Sequence, residues 1–169
     1  IDMSALAAEL ERFLPDFLAF CLPQASAEID WSRGYQFLDK ELQQVAPAAA
    51  VGRRLVDVLV QVWRKDGQDA WVLIHIEVQG QEEGDFARRM FGYNYRLLDR
   101  YGRPVVSLAV LTDERANWRP DQFASDLGGC TVALHFRVVK LIDYRERRAE
   151  LEASTKPFAT IVLAHLDTL

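Results

Sequence analysis

Residues 55–78 read LVDVLVQVWRKDGQDAWVLIHIEV, two apolar runs on either side of a polar stretch. The runs are Leu55–Trp63 and Ala70–Val78, and both are rich in β-branched and aromatic residues, which are enriched in strands. The polar stretch contains Asp66-Gly67, a dipeptide that favours the tight turn of a hairpin. The sequence therefore predicts an antiparallel β-hairpin here.

Two helical segments are predicted before the hairpin. Apolar residues from Ser4 to Cys21 recur on one helical stripe, and Pro15 interrupts that stripe, so we predict a kink or two short helices. A second short helix is predicted from about Tyr35 to Val45. Glu41 falls within the apolar stripe of this helix, where a carboxylate is costly unless another group pairs with it.

A long helix and a buried strand are predicted after the hairpin. Asp85 is a suitable N-cap residue for a helix that runs to about Tyr101 and stops at Gly102. Val105–Leu111 is a continuous apolar run between turn residues, as in a buried strand. The order of elements up to this point is helix, hairpin, helix and strand.

The remaining residues are predicted to form a loop, a strand and a last helix. The loop covers 112–129, Val132–Leu141 has the pattern of a strand, and Pro157 is placed to open a helix. That helical pattern is still running at Leu169, so we expect the native chain to continue beyond it. We divide the chain into three parts: an N-terminal helical segment packed on the core (1–34), the core (35–141) and a C-terminal helical extension (142–169).

Composition limits the class of protein. The chain has 169 residues, 50% of them hydrophobic and 27% charged, as expected for one compact domain. Its formal net charge of -5 weighs against nucleic-acid binding, which usually accompanies a basic excess. No apolar run approaches the roughly 18 residues of a membrane span, so we expect a cytoplasmic protein without a membrane partner. Cys21 and Cys130 are far apart and are predicted to be ordinary buried thiols.

Both predicted hairpin strands carry an acid. Because alternate strand residues share a face, Asp57 and Gln61 lie on one side of the first strand. His75, Glu77 and Gln79 lie on one side of the second. Two neighbouring carboxylates repel unless a cation lies between them, and Mg²⁺ prefers carboxylate oxygens and water as ligands. The alternative is that these acids lie on the solvent face of a half-exposed hairpin.

The stretch VDVLVQVWRKDGQDAWVLIHIEVQGQ, followed by DFARRMFGYNYRLLDRYGRPVVSLAVL, resembles the bacterial recombination-promoting nuclease/transposase family, a branch of the PD-(D/E)XK superfamily. The later pieces VVKLIDYRER and LEASTKPFATIVLAHL fit the same family pattern. The resemblance implies an α/β fold with a restriction-endonuclease-like core, in which a central mixed sheet is flanked by helices in the order α-β-β-β-α-β. We expect the missing first strand within 46–54, or as part of one long, bent strand.

The resemblance also implies a metal-dependent DNA endonuclease that hydrolyses phosphodiester bonds. In the superfamily an acid on one strand is followed on the next strand by E-x-K, or sometimes E-x-Q. These positions correspond here to Asp57 and to Glu77-Val78-Gln79. The implied catalytic residues are therefore Asp57, Glu77 and Gln79. Asp57, Glu77 and the Val78 carbonyl would bind Mg²⁺, for which Mn²⁺ could substitute.

Glu41 and Gln79 complete the implied site, and each leaves an alternative open. Many superfamily members use a further acid from the helix before the hairpin, and Glu41 is the candidate here. Its alternative is a partly exposed residue paired with Arg53 or Arg54. Gln79 stands where lysine is usual, and a neutral amide can only hydrogen-bond to the attacking water or the transition state. Gln79 is therefore the departure from the family pattern that speaks most against activity.

A row of arginines indicates how DNA would be held. Arg89, Arg96 and Arg100 lie along one flank of the predicted 85–101 helix, with Arg103 just beyond it. Such a row can bind phosphates without reading sequence. The alternative is a solvated face in which these arginines pair with acids of the same helix, namely Asp85 and Asp99.

His75 and Gln61 are predicted to contact the metal ligands and not the metal itself. The alternative for His75 is an ordinary residue on the strand face. We therefore expect DNA as the partner, with RNA and a homodimer left open by the sequence. The competing function is a non-catalytic DNA-binding or protein-interaction module on the same fold. Gln79 and the negative net charge favour this alternative.

Overall fold

The predicted hairpin lies at the centre of a five-stranded sheet. Its strands are β2 (Leu55–Trp63) and β3 (Asp69–Glu77), which pair antiparallel along their whole length. Gly67, in the turn between them, has a φ of 86°, a left-handed conformation that glycine adopts without steric cost. The hairpin prediction is confirmed. The computed structural model describes residues 3–46, 55–77 and 85–169.

Three further strands complete this sheet. They are β1 (Tyr35–Phe37), β4 (Val105–Leu111) and β7 (Arg137–Lys140), and the spatial order is β1-β2-β3-β4-β7. Strand β1 is antiparallel to β2, whereas β4 is parallel to β3 and β7 is parallel to β4. A separate two-stranded sheet consists of β5 (Gln122–Leu127) and β6 (Cys130–His135).

Helices surround the sheet. The α-helices are α1 (Met3–Arg12), α2 (Leu14–Cys21), α3 (Pro23–Ala27), α4 (Asp39–Val45), α5 (Phe86–Tyr101), α6 (Arg148–Ala153) and α7 (Pro157–Leu166). Short 3₁₀-helices cover Trp31–Arg33 and Leu141–Arg147. The predicted break at Pro15 is confirmed, because this residue lies in the first turn of α2, where its missing N–H costs nothing. Within the described ranges, no helix has the length and apolar character needed to cross a bilayer.

Alternate residues of the hairpin face two different helical layers. Val58, Val60 and Ile74 point to one side, where they pack against α2 and α7. Phe17 of α2 and Phe158 of α7 meet edge to face there, with ring centroids 4.7 Å apart. Leu59, Leu73 and Trp71 point to the other side, where they pack against residues of α4 and α5. Asp57 and His75 alternate in step with Leu59 and Leu73, so their side chains also project toward α5.

The fold class is confirmed: the protein is α/β, with a mixed sheet flanked by helices. The expected order α-β-β-β-α-β is wrong, because β1 precedes α4 and does not directly precede β2. The expected Tyr35–Val45 helix is accordingly strand over its first three residues. Tyr35 and Phe37 alternate around Gln36 and pair with Val60–Val62, and this pairing prevails over the helical pattern. Residues 47–54, in which we expected the missing strand, lie outside the described residues.

The C-terminal half also differs from the prediction. The expected 112–129 loop contains β5, and the single strand expected over Val132–Leu141 is divided between β6 and β7 in two different sheets. Gly128 and Gly129, with φ of 58° and 81°, form the turn from β5 to β6. Cys21 is buried as predicted, but Cys130 is exposed, because it begins a strand that lies outside the main sheet.

His165 gives the fold a predicted dependence on pH. Its Nε2–H donates to the Thr112 carbonyl at 2.9 Å, and its Nδ1 is buried without a hydrogen-bond partner among the described residues. Burial lowers the pKa of His165 from its ordinary value of 6.5, although the bond to Thr112 opposes that shift. The folded state therefore binds fewer protons than the unfolded state, and stability should fall as the pH drops below about 6.5.

The measurement is urea unfolding between about pH 5 and 8. His165→Gln keeps an N–H donor for Thr112 but cannot titrate, so we expect a weaker loss of unfolding free energy on acidification than in the parent chain. An equal loss in both proteins would show that His165 is not responsible.

Candidate active site

Asp57 and His75 lie directly opposite each other in the hairpin. The register of β2 and β3 pairs these two residues, so both side chains project to the side of the sheet that α5 covers. His75 is completely buried, and the Asp57 side chain keeps 16% of its surface exposed. The carboxylate Oδ1 of Asp57 is in direct contact with Nδ1 of His75. The hairpin register alone therefore creates an aspartate–histidine pair.

Arg89 completes a chain of contacts behind Asp57. Its Nη2 lies 3.1 Å from Nε2 of His75. A guanidinium has donors and no acceptor, so Nε2 of the imidazole must accept this hydrogen bond. The ring proton is then on Nδ1, from which it is donated to Asp57. The chain of donors thus runs from Arg89 through His75 to the carboxylate.

Tyr93 binds the other oxygen of the same carboxylate. Its hydroxyl donates to Oδ2 of Asp57 at 3.1 Å. Arg89 and Tyr93 are four residues apart in α5, so both project from the same side of the helix toward the sheet. The Phe86 ring, one turn earlier, packs edge-on against His75 with centroids 5.5 Å apart. One helix therefore supplies both polar partners and the apolar cover of the pair.

These partners set the charge of Asp57. Burial by itself would raise the pKa of this carboxyl, but hydrogen bonds from His75 and Tyr93 and the positive charge of Arg89 together outweigh burial. The pKa of Asp57 is lowered as a result. The site therefore holds an ionised carboxylate at neutral pH beneath a helix. The same contacts raise the pKa of Tyr93, chiefly through burial and then through the neighbouring Asp57 charge, so the phenol remains protonated.

The other residues of the predicted motif follow His75 along the chain. Glu77 is the last residue of β3, where its backbone pairs with Leu55 of β2 and Leu111 of β4. The contacts of its carboxylate are not among the described side chains. Val78 and Gln79 lie outside the described residues. The roles of Glu77, Val78 and Gln79 thus stay predictions.

Glu41 lies on α4 and contacts the C-terminal end of α5, whereas Asp57 contacts the middle of α5. The Tyr101 hydroxyl lies 3.5 Å from the Glu41 carbonyl, whereas Tyr93 reaches Asp57 eight residues earlier in the helix. Eight residues correspond to roughly 12 Å of helix axis. In the part of the chain that the structure describes, no three His, Cys, Asp or Glu side chains form a metal-binding group. Glu41 as a ligand stays a prediction, and its alternative partners Arg53 and Arg54 lie outside the described residues.

The predicted arginine row is divided among different partners. Arg96 donates to the Val45 carbonyl at 3.3 Å and Arg100 donates to Gln44 Oε1 at 3.1 Å, so both link α5 to α4. Arg103 binds both carboxylate oxygens of Asp69 at 2.7 Å. Arg89 turns inward to His75. None of the contacts described here for these four arginines uses Asp85 or Asp99, the partners of the alternative interpretation, and DNA binding by the row stays a prediction.

Gln61 belongs to the cluster around Asp69. Its Nε2 donates to Asp69 Oδ2 at 2.7 Å. Gln61 is four residues beyond Asp57 in β2, which corresponds to roughly 13 Å along a strand. The structure therefore brings Gln61 together with Arg103 and does not bring it to Asp57.

The roles of Arg89 and Tyr93 at Asp57 were not predicted from the sequence. Arg89 was predicted to lie on a DNA-binding flank of the helix. Their four-residue spacing was a signal that both face the sheet, but the register that places them over Asp57 cannot be read from a helix pattern. The fold and the site define an α/β protein with an aspartate–histidine–arginine cluster between the hairpin and α5, in which His75 is fully buried. Comparisons with known protein families, curated proteins and solved structures found no match.

Proposed function

We propose that this chain is a divalent-metal-dependent endonuclease that hydrolyses DNA phosphodiester bonds on a restriction-endonuclease-like core. The observation that carries the proposal is the ionised Asp57 carboxylate, held by His75 and Tyr93 at the start of the hairpin. Glu77, the second acid of the motif, lies in the neighbouring strand two residues beyond His75. The family resemblance described above supports the same assignment.

The donor set at Asp57 fits a hard cation. Each carboxylate oxygen offers about two lone pairs, and each accepts one hydrogen bond, from His75 or from Tyr93. One acceptor position per oxygen is therefore left. Asp57 and Glu77 would hold Mg²⁺ or Mn²⁺, and the Val78 carbonyl and Glu41 are the further proposed ligands. A bound ion supplies a Lewis acid that lowers the pKa of water and stabilises the charge that develops on the phosphate.

The residues of the chain would prepare this site in four ways. His75 fixes the orientation of the Asp57 carboxylate, because its own ring is held on the opposite side by Arg89. Tyr93 holds the second oxygen and, together with Phe86, excludes water from the inner side. Arg89 places a positive charge beside His75, which helps to keep Asp57 ionised. Gln79 would orient the attacking water through a hydrogen bond, in place of the usual lysine.

Plasmid cleavage tests the proposal. We expect the full chain to nick supercoiled plasmid with Mg²⁺ or Mn²⁺, and EDTA to abolish nicking. Asp57→Ala and Glu77→Ala should each reduce the rate to the background of a mock preparation, because each removes a proposed ligand. Glu152→Ala is the matched control, since it removes an exposed acid on α6 that pairs with Arg148. Nicking by the Asp57 or Glu77 variant at the parent rate would refute the assignment.

A second candidate function is a non-catalytic DNA-binding module. The observation that favours it is that both oxygens of Asp57 already accept hydrogen bonds, so the carboxylate is satisfied without an ion. Calorimetry separates the two functions. Heat of Mg²⁺ or Mn²⁺ binding that disappears in Asp57→Ala supports the nuclease, whereas DNA association without metal binding supports the module.

A further inference from the structure

The outer side of α5 carries aromatic rings in a row. Phe123 of β5 stacks on Phe91 with centroids 4.7 Å apart and planes 16° apart. Phe91 in turn stacks on Tyr95, with centroids 6.0 Å apart and planes 19° apart. Tyr95 ends the row and is 53% exposed. The row therefore ends in an accessible ring next to which another planar group could stack.

A basic groove lies beside this row. Its volume is about 390 Å³. Among the residues that the structure describes, three arginines and one aspartate line it together with Phe91 and Gly92: Arg88, Arg89, Arg96 and Asp85. The charge of the lining favours an anion, although the whole chain is acidic. The groove and the aromatic row share Phe91, so the two features form one surface.

Gly92 keeps the floor of the groove open. Glycine inside an exposed helix is unfavourable compared with alanine. A Cβ added at this position would be in ordinary contact with Nη1 of Arg96, at 3.8 Å, so the fold itself tolerates a side chain here. Packing thus gives no reason for a glycine at this position. The missing side chain leaves the helix backbone accessible between Arg88 and Arg96. A phosphate group of a nucleic acid could therefore approach the helix closely, which gives a reason for glycine here.

We propose that Arg88, Phe91, Gly92, Tyr95 and Phe123, the α5–β5 surface, bind an unpaired strand of nucleic acid. Phosphates would lie along the arginine groove, and a base would stack on Tyr95. This combination of a cationic groove and stacking rings is typical of single-strand binding. The bases of a duplex already stack on one another, so they cannot offer a face to Tyr95.

Arg89 connects this surface with the proposed active site. Arg89 lines the groove and also contacts His75, which holds Asp57. A strand bound in the groove would therefore approach the Asp57 carboxylate. This inference rests on the proposed nuclease function and specifies its substrate as DNA with an unpaired segment, with RNA as a comparison in the test.

Binding can be measured without cleavage. Fluorescence anisotropy of the full chain in EDTA would compare labelled oligothymidylate of about 20 nucleotides, oligouridylate of the same length and a duplex. We expect tighter binding of the single strands than of the duplex. Tyr95→Ala should weaken single-strand binding about tenfold, whereas Tyr95→Phe, which keeps the ring, should leave it unchanged.

Two further variants test the groove. Arg88→Ala should weaken binding several-fold and reduce the slope of log affinity against log salt by about one. Gly92→Glu, which fills the floor with a negative charge, should weaken binding at least as much. Arg137→Ala is the matched control, because it removes the same charge from an exposed position on β7, outside this surface. Thermal unfolding of each variant shows that the fold is retained.

Three results would overturn the inference. They are absent single-strand binding by the parent chain, preference for the duplex, and affinities unchanged by Tyr95→Ala and Arg88→Ala. Conversion of a dimer to a monomer by Tyr95→Ala would instead assign the surface to contacts between copies. Because the binding assay contains EDTA, its result does not depend on cleavage. Ring- and arginine-dependent binding by a chain that cleaves neither plasmid nor single-stranded nucleic acid with Mg²⁺ or Mn²⁺ would uphold the surface and refute the nuclease.

Discussion

Replacing Lys140 with methionine is expected to lower the free energy of unfolding by about 3–5 kcal/mol. The Lys140 ammonium is buried and donates to both oxygens of Asp113, at 2.9 and 2.8 Å, and to the Trp118 carbonyl at 2.9 Å. All three of its protons are therefore used. Removing the ammonium leaves a buried carboxylate and a carbonyl without this partner. Guanidinium unfolding monitored by circular dichroism gives the change.

Two comparisons make this prediction specific. Lys140→Met combined with Asp113→Asn should recover part of the loss, because the asparagine carries no charge and can still accept from the Arg115 N–H, now 2.9 Å from Asp113 Oδ1. Arg119→Met breaks the ion pair with Asp143, in which both side chains are 47% exposed, and should cost at most about 1 kcal/mol. Equal losses of unfolding free energy in Lys140→Met and Arg119→Met would show that the buried ion pair stabilises the fold no more than the exposed one does.

His75→Leu is expected to reduce metal-dependent cleavage by roughly 10- to 100-fold while the protein stays folded. The substitution removes the donor to Asp57 and leaves the burial that raises its pKa. Ionised Asp57 should then be lost at higher pH than in the parent, so the acidic limit of activity should move upward. His75→Asn places an amide N–H near the position of Nδ1 and should restore part of the rate.

Nicking rates across pH, together with thermal unfolding of each variant, measure this effect. The Asp57 carboxyl can also be titrated by nuclear magnetic resonance, which reports its pKa whether or not the protein cleaves DNA. A carboxyl that titrates at the same pH in the parent chain and in His75→Leu would disprove the role of His75.

The fold could be predicted where burial left a clear sequence pattern. Continuous apolar runs mark the hairpin strands and β4, helically spaced apolar residues mark α5, and each was predicted close to its observed bounds. Strand β1 is only three residues long, and its conformation depends on pairing with distant Val60–Val62. Strands β5 and β6 are almost wholly exposed, so no buried face marked them. Non-local pairing and exposure thus account for the errors.

The site was predictable in part. Asp57 and His75 were each placed on a strand face, but only the register shows that they lie opposite each other. The contact of the Arg89 side chain with His75 depends on how α5 packs against the sheet. The pattern of a single sequence does not determine that packing. The bond from Tyr101 to Glu41 likewise depends on the packing of α4 against α5. Residue types were thus easier to predict than their partners.

The two outer strands of the main sheet are short. Three residues of β1 and four of β7 form its edges, whereas each hairpin strand has nine. A strand arriving from another molecule would therefore find few backbone groups at these two edges with which to continue the ladder. Short edge strands are one way in which natural sheets avoid growing into fibrils. Self-association of this protein is accordingly expected to occur through side-chain surfaces and to leave the five-stranded sheet unextended.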